Sequence, residues 1–158
     1  MAERNDNDGV IMFPPGMFFG GIVVGFAVWR FWPVPLAPSG WSFALRVIGA
    51  VAIALGVALM LWALGSFIRI KTTPTHWDPT TAIAFDGPYR FTRNPMYVGM
   101  ILVQGGVAFC ANALWPLVTL IPVLLIIRTQ VIAREEAYLE AKFGAPYRDF
   151  KRRVRRWL

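Results

Sequence analysis

Thiol, imidazole and carboxylate are the scarce groups in this chain, which has one cysteine, one histidine and nine Asp and Glu among 158 residues. Cys110 stands alone inside an apolar stretch, so neither a disulfide framework nor a thiolate metal site is available, and no metal centre is expected. Charged residues make up only 16% of the sequence, and no GxGxxG fingerprint is present, which excludes a cofactor held in the Rossmann manner. The acidic start, MAERNDND, lacks the basic region of a signal peptide, and no small-residue cleavage site follows the first apolar run. That run is expected to be a retained helix.

Apolar surface is what the chain has in excess. Hydrophobic residues are 56% of it and aromatic residues 15%. One small core cannot bury that much, and lipid must cover the remainder. Sixteen Lys and Arg give a net charge of +7, but most of them stand near the ends of apolar runs or in the C-terminal turns. That pattern indicates membrane topology and not a nucleic-acid surface. The expected fold class is an all-α integral membrane protein, one membrane domain over residues 1–158. It has about four transmembrane helices, a cytoplasmic cofactor-binding loop and C-terminal interfacial helices.

The first span is expected at about residues 16–32, after Pro14 and Pro15, with Gly20, Gly21 and Gly25 allowing close helix approach. WPVPLAPSGW then forms a short rigid turn, with tryptophans at the membrane boundary. A second span covers about residues 43–67, ending in Arg69 and Lys71, with Arg46 snorkelling outward near its start. Residues 71–94 are too polar to cross a bilayer and too long for a tight turn. Apolar sequence from 95 to 127 exceeds one crossing and resolves as a hairpin, with spans at about 95–111 and 114–133 and a break near 112–116. Beyond it come a charged helix, a Gly-Ala-Pro stop at residues 144–146 and a short basic helix. Four spans put both termini on one side with Arg4, Arg69, Lys71, Arg90, Arg93 and the basic C-terminal segment, leaving Arg30 and Arg46 on the other. The excess of positive charge assigns the first side to the cytoplasm.

Two features there carry chemistry. GPYRFTRNPMYVG, residues 87–99, combines turn formers, aromatics and two arginines at the start of a membrane helix, with Asn94-Pro95 at its first turn. Arg93 and Tyr97, four apart, share a face. The other feature is Arg128 followed by Arg134, Glu135 and Glu136. Arg128 and Glu135, seven apart, are expected on one helical face. Acids this close to a span must be paired or line a wet cavity, since a charge at the bilayer centre costs at least about 2.5 kcal/mol. Read blandly, the two features are a helix cap and an interfacial salt bridge. Read together, they offer arginine for a carboxylate, acids for an ammonium or ribose hydroxyls, and aromatics for a flat base, which suits a zwitterionic nucleoside.

GPYRFTRNPMYVG, followed after a hydrophobic hairpin by REEAYLEAKFGAPYRDFKRRVRRW, resembles the isoprenylcysteine carboxyl methyltransferase and phospholipid methyltransferase superfamily. The shared pattern is G-x-Y, then R-H/N-P-x-Y-x-G, then a Glu-Glu pair ahead of Y-L and F-G-x-x-Y, and it runs from about residue 80 to 157. The resemblance implies S-adenosyl-L-methionine as cofactor, with binding roles for Ile83, Gly87, Tyr89, Arg93, Asn94, Pro95, Tyr97, Gly99 and Glu135. Asn94 stands where eukaryotic carboxyl methyltransferases usually carry His, and Thr81 occupies the place of another family histidine. His76 falls five residues early and reads as a loop residue. These departures resemble the broad group of small RNP-type relatives and point away from prenylcysteine.

The function so implied is methyl transfer from S-adenosylmethionine to a lipidic or amphiphilic acceptor at the cytoplasmic interface. Arg93 and Glu135 would fix the methionine end of the cofactor, Tyr89 and Tyr97 would shape its pocket, and Glu136 or Arg134 would orient the acceptor. Arg93, Arg134 and Glu136 are thus the candidate catalytic residues. The basic segment 151–156, with Trp157, is expected against anionic headgroups. The expected partners are the bilayer and the amphiphilic acceptor, with no nucleic acid. Competing readings are a nicotinamide-dependent membrane reductase, a small four-helix transporter and a structural membrane subunit. The transporter reading is weakened because the first three spans contain no acid.

Overall fold

The computed structural model describes residues 13–70 and 82–157. Arg4 and the acidic N-terminus, Lys71, His76 and Thr81 lie outside the described residues. Every regular element among the described residues is helical. Helix α1, Pro14–Phe31, starts on two prolines, whose missing N–H groups need no partner in a first turn, and stops ahead of Pro33 and Pro35. A single turn at Ser39–Trp41 leads into α2, Ser42–Arg69. Another short turn, Gly87–Arg90, precedes α3, Pro95–Cys110, which begins on Pro95. Then come α4, Trp115–Val118, and α5, Leu120–Ile126, with the break at Thr119 just ahead of Pro122, whose ring has no N–H to return to the Val118 carbonyl. A π-helical stretch, Ile127–Ile132, runs into α6, Ala133–Phe143, and Gly144 at φ +63° turns the chain into α7, Ala145–Arg153.

Three segments, Pro14–Phe31, Ser39–Arg69 and Trp115–Phe143, are long and apolar enough to cross a membrane. Their outward faces expose Phe19, Val23 and Val24, then Val47, Val51, Leu55 and Leu61, then Ile121 and Leu125. Side chains of this kind in such number are stable only against lipid, and the chain is an integral membrane protein. The helix expected as a further crossing, α3, is shorter. Its 16 residues reach about 24 Å, less than the roughly 30 Å hydrocarbon layer.

Glycine spacing lays α3 along α2. Gly49 and Gly56 are seven residues apart, as are Gly99 and Gly106, and the two sets meet in antiparallel order. A Cβ on Gly56 would lie 2.6 Å from the Gly99 carbonyl oxygen, and one on Gly106 would lie 2.6 Å from that of Gly49. No side chain fits at either crossing, so the backbones touch and dispersion contacts act along the whole seam.

The far end of this helix pair is closed by Asn112, which adopts φ +48° after α3. The amides of Asn112 and Ala113 donate back to the Phe109 and Ala108 carbonyls, capping the helix. The Asn112 side chain accepts from the amides of Leu36 and Ala37 at 2.9 and 3.0 Å and donates to the Ala37 carbonyl at 2.9 Å. Trp115 Nε1 donates to the Trp32 carbonyl at 2.6 Å. Within the bundle, Gln104 Nε2 donates to the Pro116 carbonyl at 2.8 Å, and Thr119 Oγ1 donates to that of Gly21 at 2.7 Å. Both turns therefore sit at one end, with Arg30 and Arg46. The Gly87–Arg90 turn, the start of α3 and the C-terminal helices gather at the other.

Gly56→Ala is expected to destabilise the protein by about 1–3 kcal/mol, because the new methyl meets backbone that cannot move aside. Gly20→Ala and Gly65→Ala, which meet nothing within 4 Å, should melt at or above the wild-type temperature. Thermal unfolding in detergent checks this, and a Gly56→Ala protein as stable as wild type would show that the seam is not this close.

Candidate functional site

The site forms where four segments converge on the carboxylates of α6. The extra residue in the π-helical stretch shifts the helix's phase, so buried positions run Val123, Ile127, Val131, Ile132 and then Glu136. A π turn of this kind is often found at functional positions. It also overturns the expectation that Arg128 and Glu135 share a face, since seven residues are no longer two turns here. Arg128 is exposed, Glu135 half-buried and Glu136 buried.

Glu136 is the focus. Arg156 grips it with two charge-assisted hydrogen bonds, Nε to Oε1 at 3.0 Å and Nη2 to Oε2 at 2.7 Å. Arg93 Nη1 lies 2.9 Å from Oε1, with side-chain exposures of only 11% and 10% for the two residues. That contact is an ion pair without hydrogen-bond alignment, and Arg93 Nε and Nη1 are buried with no hydrogen-bond partner. Beside this cluster the Tyr97 hydroxyl donates to Glu135 Oε2 at 3.1 Å. Arg93 and Tyr97 thus reach neighbouring carboxylates, but Arg93 pairs with Glu136, not with Glu135.

The turn before α3 is tied to the C-terminal segment through its backbone. Arg93 N donates to the Arg155 carbonyl at 3.0 Å, while Thr92 Oγ1 and Asn94 Nδ2 donate to that of Arg156 at 3.2 and 2.9 Å. Asn94 therefore turns its amide group toward the C-terminal segment and leaves the helix amides uncapped by its side chain. Pro95 is fully buried behind it. Two tyrosines complete the wall. Burial, reinforced by the charge of Glu135, raises the Tyr89 hydroxyl above the usual phenol range, and its ring meets Phe67 edge to face at 5.4 Å. Burial and then the Glu136 charge push Tyr147 up as well, offset in part by Arg93, to which it is hydrogen-bonded. Both phenols stay protonated at neutral pH, and the Tyr147 oxygen accepts from the Arg93 guanidinium. The hydrogen bonds that Arg156 donates to Glu136 stabilise its charged form.

The remaining expected residues lie around this cluster. Gly87, at φ +62°, packs where a Cβ would come 2.7 Å from Ser66 Oγ. Gly99 faces the helix seam, where a Cβ would meet Met60 Cγ at 2.5 Å. Ile83 lines a cavity of about 260 Å³ with Ser66, Arg69, Ile70, Ala84, Phe85 and Asp86. Arg134 is exposed, its Nη2 3.5 Å from Gln130 Oε1 on the preceding turn. Sequence reasoning did not single out Arg156, Tyr147 or Thr92. The basic segment was expected to lie against headgroups throughout, yet only Arg152, Arg153 and Arg155 are exposed there, and Arg156 turns inward. A signal for this was available: Val154 and Trp157 interrupt the basic run, and they pack into the two apolar clusters on either side of the site.

These features define a membrane protein with a buried, ion-paired polar cluster flanked by tyrosines at the ends of its helices. Residues 45–146 match the family model of the phospholipid methyltransferases. The chain belongs to that family, whose members are membrane methyltransferases. An uncharacterized protein of Haemophilus influenzae is 45% identical over 64 residues, which is 40% of this chain and the whole of that protein. No solved structure matches the chain.

Glu136→Ala leaves two guanidinium groups facing each other across a buried gap and is expected to destabilise the protein by about 3 kcal/mol. Asp149→Ala, which removes an exposed pair with Arg152, should change the melting temperature little. Equal effects of the two substitutions in thermal unfolding would contradict the burial described for Glu136.

Proposed function

We propose that this protein transfers a methyl group from S-adenosyl-L-methionine to a lipidic or amphiphilic acceptor at the cytoplasmic face of the membrane. The observation that carries the reading is the pair of unsatisfied, buried Arg93 donors beside two glutamates. A guanidinium held this way is suited to a carboxylate, while Glu135 offers charge for an ammonium and the buried tyrosines flank a flat base. The residues present thus fit both ends of a zwitterionic nucleoside.

When bound, the cofactor supplies a methyl carbon already activated by a sulfonium leaving group, so neither metal nor covalent enzyme intermediate is required. The work of this chain is alignment and exclusion of water. Arg93 holds the carboxylate, Glu135 is steadied by Tyr97, and Tyr89 and Tyr147 wall the pocket. Fixing acceptor and methyl in line is worth about 7–11 kcal/mol of barrier. The acceptor enters from lipid, because the site lies at the ends of membrane helices. Arg134, exposed beside the glutamates, is the residue assigned to meet the acceptor's polar group. Positive charge favours the cytoplasm for this end, where Arg69, Arg90 and the exposed arginines of the C-terminal segment lie, against Arg30 and Arg46 at the other.

Calorimetric titration of S-adenosylmethionine and S-adenosylhomocysteine into detergent-purified protein tests the cofactor. Saturable binding is expected, weakened at least about tenfold by Arg93→Ala and by Glu135→Gln, since each removes a charge-assisted hydrogen bond. A folded protein that binds neither nucleoside would end the methyltransferase reading and move the nicotinamide reductase ahead of it.

A further inference from the structure

Arg93 and Arg156 compete for one carboxylate, and the geometry shows which prevails. Arg156 takes both oxygens of Glu136 with aligned bonds of 3.0 and 2.7 Å. Arg93 Nη1 is ion-paired with Oε1 at 2.9 Å but not aligned for a hydrogen bond, so its Nε and Nη1 are buried without a hydrogen-bond partner. A buried donor left unmade is costly, so a free Arg93 would swing into line with Glu136 if nothing else held that carboxylate. The arrangement persists because residues 154–157 are fixed on all sides. Their backbone carbonyls receive Arg93 N, Thr92 Oγ1 and Asn94 Nδ2, and Val154 and Trp157 are seated in separate apolar clusters. Arg156 also lies beyond residues 45–146, the part of the chain that matches the family.

We infer that Arg156 is a positioning residue: by occupying Glu136, it keeps the Nε and Nη1 donors of Arg93 for the carboxylate of the nucleoside. The inference rests on the cofactor assigned above. It makes the C-terminal segment a working wall of the site, and it gives Glu136 a holding role in place of contact with the acceptor. Without Arg156, Arg93 closes onto Glu136 and the ligand loses its carboxylate partner, while contacts to the adenine and ribose remain.

The test compares two nucleosides that differ in the amino-acid end. Wild-type protein should bind S-adenosylhomocysteine more tightly than 5′-methylthioadenosine, which lacks the carboxylate. In Arg156→Ala the affinity for S-adenosylhomocysteine should fall about tenfold or more, while that for methylthioadenosine stays unchanged. Millimolar guanidinium should restore part of the loss. Arg156→Lys keeps the charge without the two-pronged grip and should show the same selective loss at smaller size, so it carries the test if Arg156→Ala does not fold. A uniform loss for both nucleosides, or no loss in either variant, would overturn the role of Arg156 alone. Wild-type protein that binds neither nucleoside would instead overturn the cofactor assignment, and this inference with it.

Discussion

A carboxylate placed in the low-dielectric margin of a bilayer must be paired, and most of the architecture at this end of the protein answers that requirement for Glu136. Burying one charge costs several kcal/mol after relaxation, and only close partners with good geometry offset it. The π-helical stretch brings Glu136 inward, the turn before α3 delivers Arg93, and the segment after α7 returns to deliver Arg156. Three parts of the chain separated by tens of residues are thereby locked to one point. Two cations share that acid, so one guanidinium keeps donors without a hydrogen-bond partner, and the proposed function rests on that surplus.

The bundle beneath has the complementary task of being rigid. Paired glycines let α2 and α3 touch, and the Asn112 clamp ties both turns at the opposite end. The polar end carries most of the positive charge among the described residues, while the outward faces of the spanning helices are predominantly apolar. A site at this boundary would be reachable both from water and from lipid, which is the physical reason the proposed methyl transfer suits this end.

Much of this was legible in the sequence. Long apolar runs, prolines at helix starts and the Gly-Ala-Pro stop gave the helices and the hairpin, because these signals act locally. The RNP motif and the Glu-Glu pair pointed to the family that residues 45–146 match. What stayed hidden depended on departures from regular spacing. A periodicity of 3.6 put Arg128 and Glu135 on one face, and the π stretch removed that relation. Which of the two neighbouring acids Arg93 meets is not distinguished by anything local, and the choice of Glu136 follows from a phase shift several residues upstream. Arg156 was masked by composition. A run of cations reads as solvated until Val154 and Trp157 are seen to hold it against the protein. Gly99 shows the same limit: in the motif it reads as a cofactor glycine, while in the fold it also forms part of the α2–α3 seam.

The proposed reaction carries a methyl group from a soluble nucleoside to a molecule dissolved in the membrane. The most direct measurement incubates the purified protein, in vesicles made from its own host's lipids, with S-adenosylmethionine labelled in the methyl group, and follows the label into an organic extract. Enzyme-dependent label in the lipid phase that disappears with Arg93→Ala is the expected result. Label that remains wholly in the aqueous phase, with the protein folded and the nucleoside bound, would contradict it.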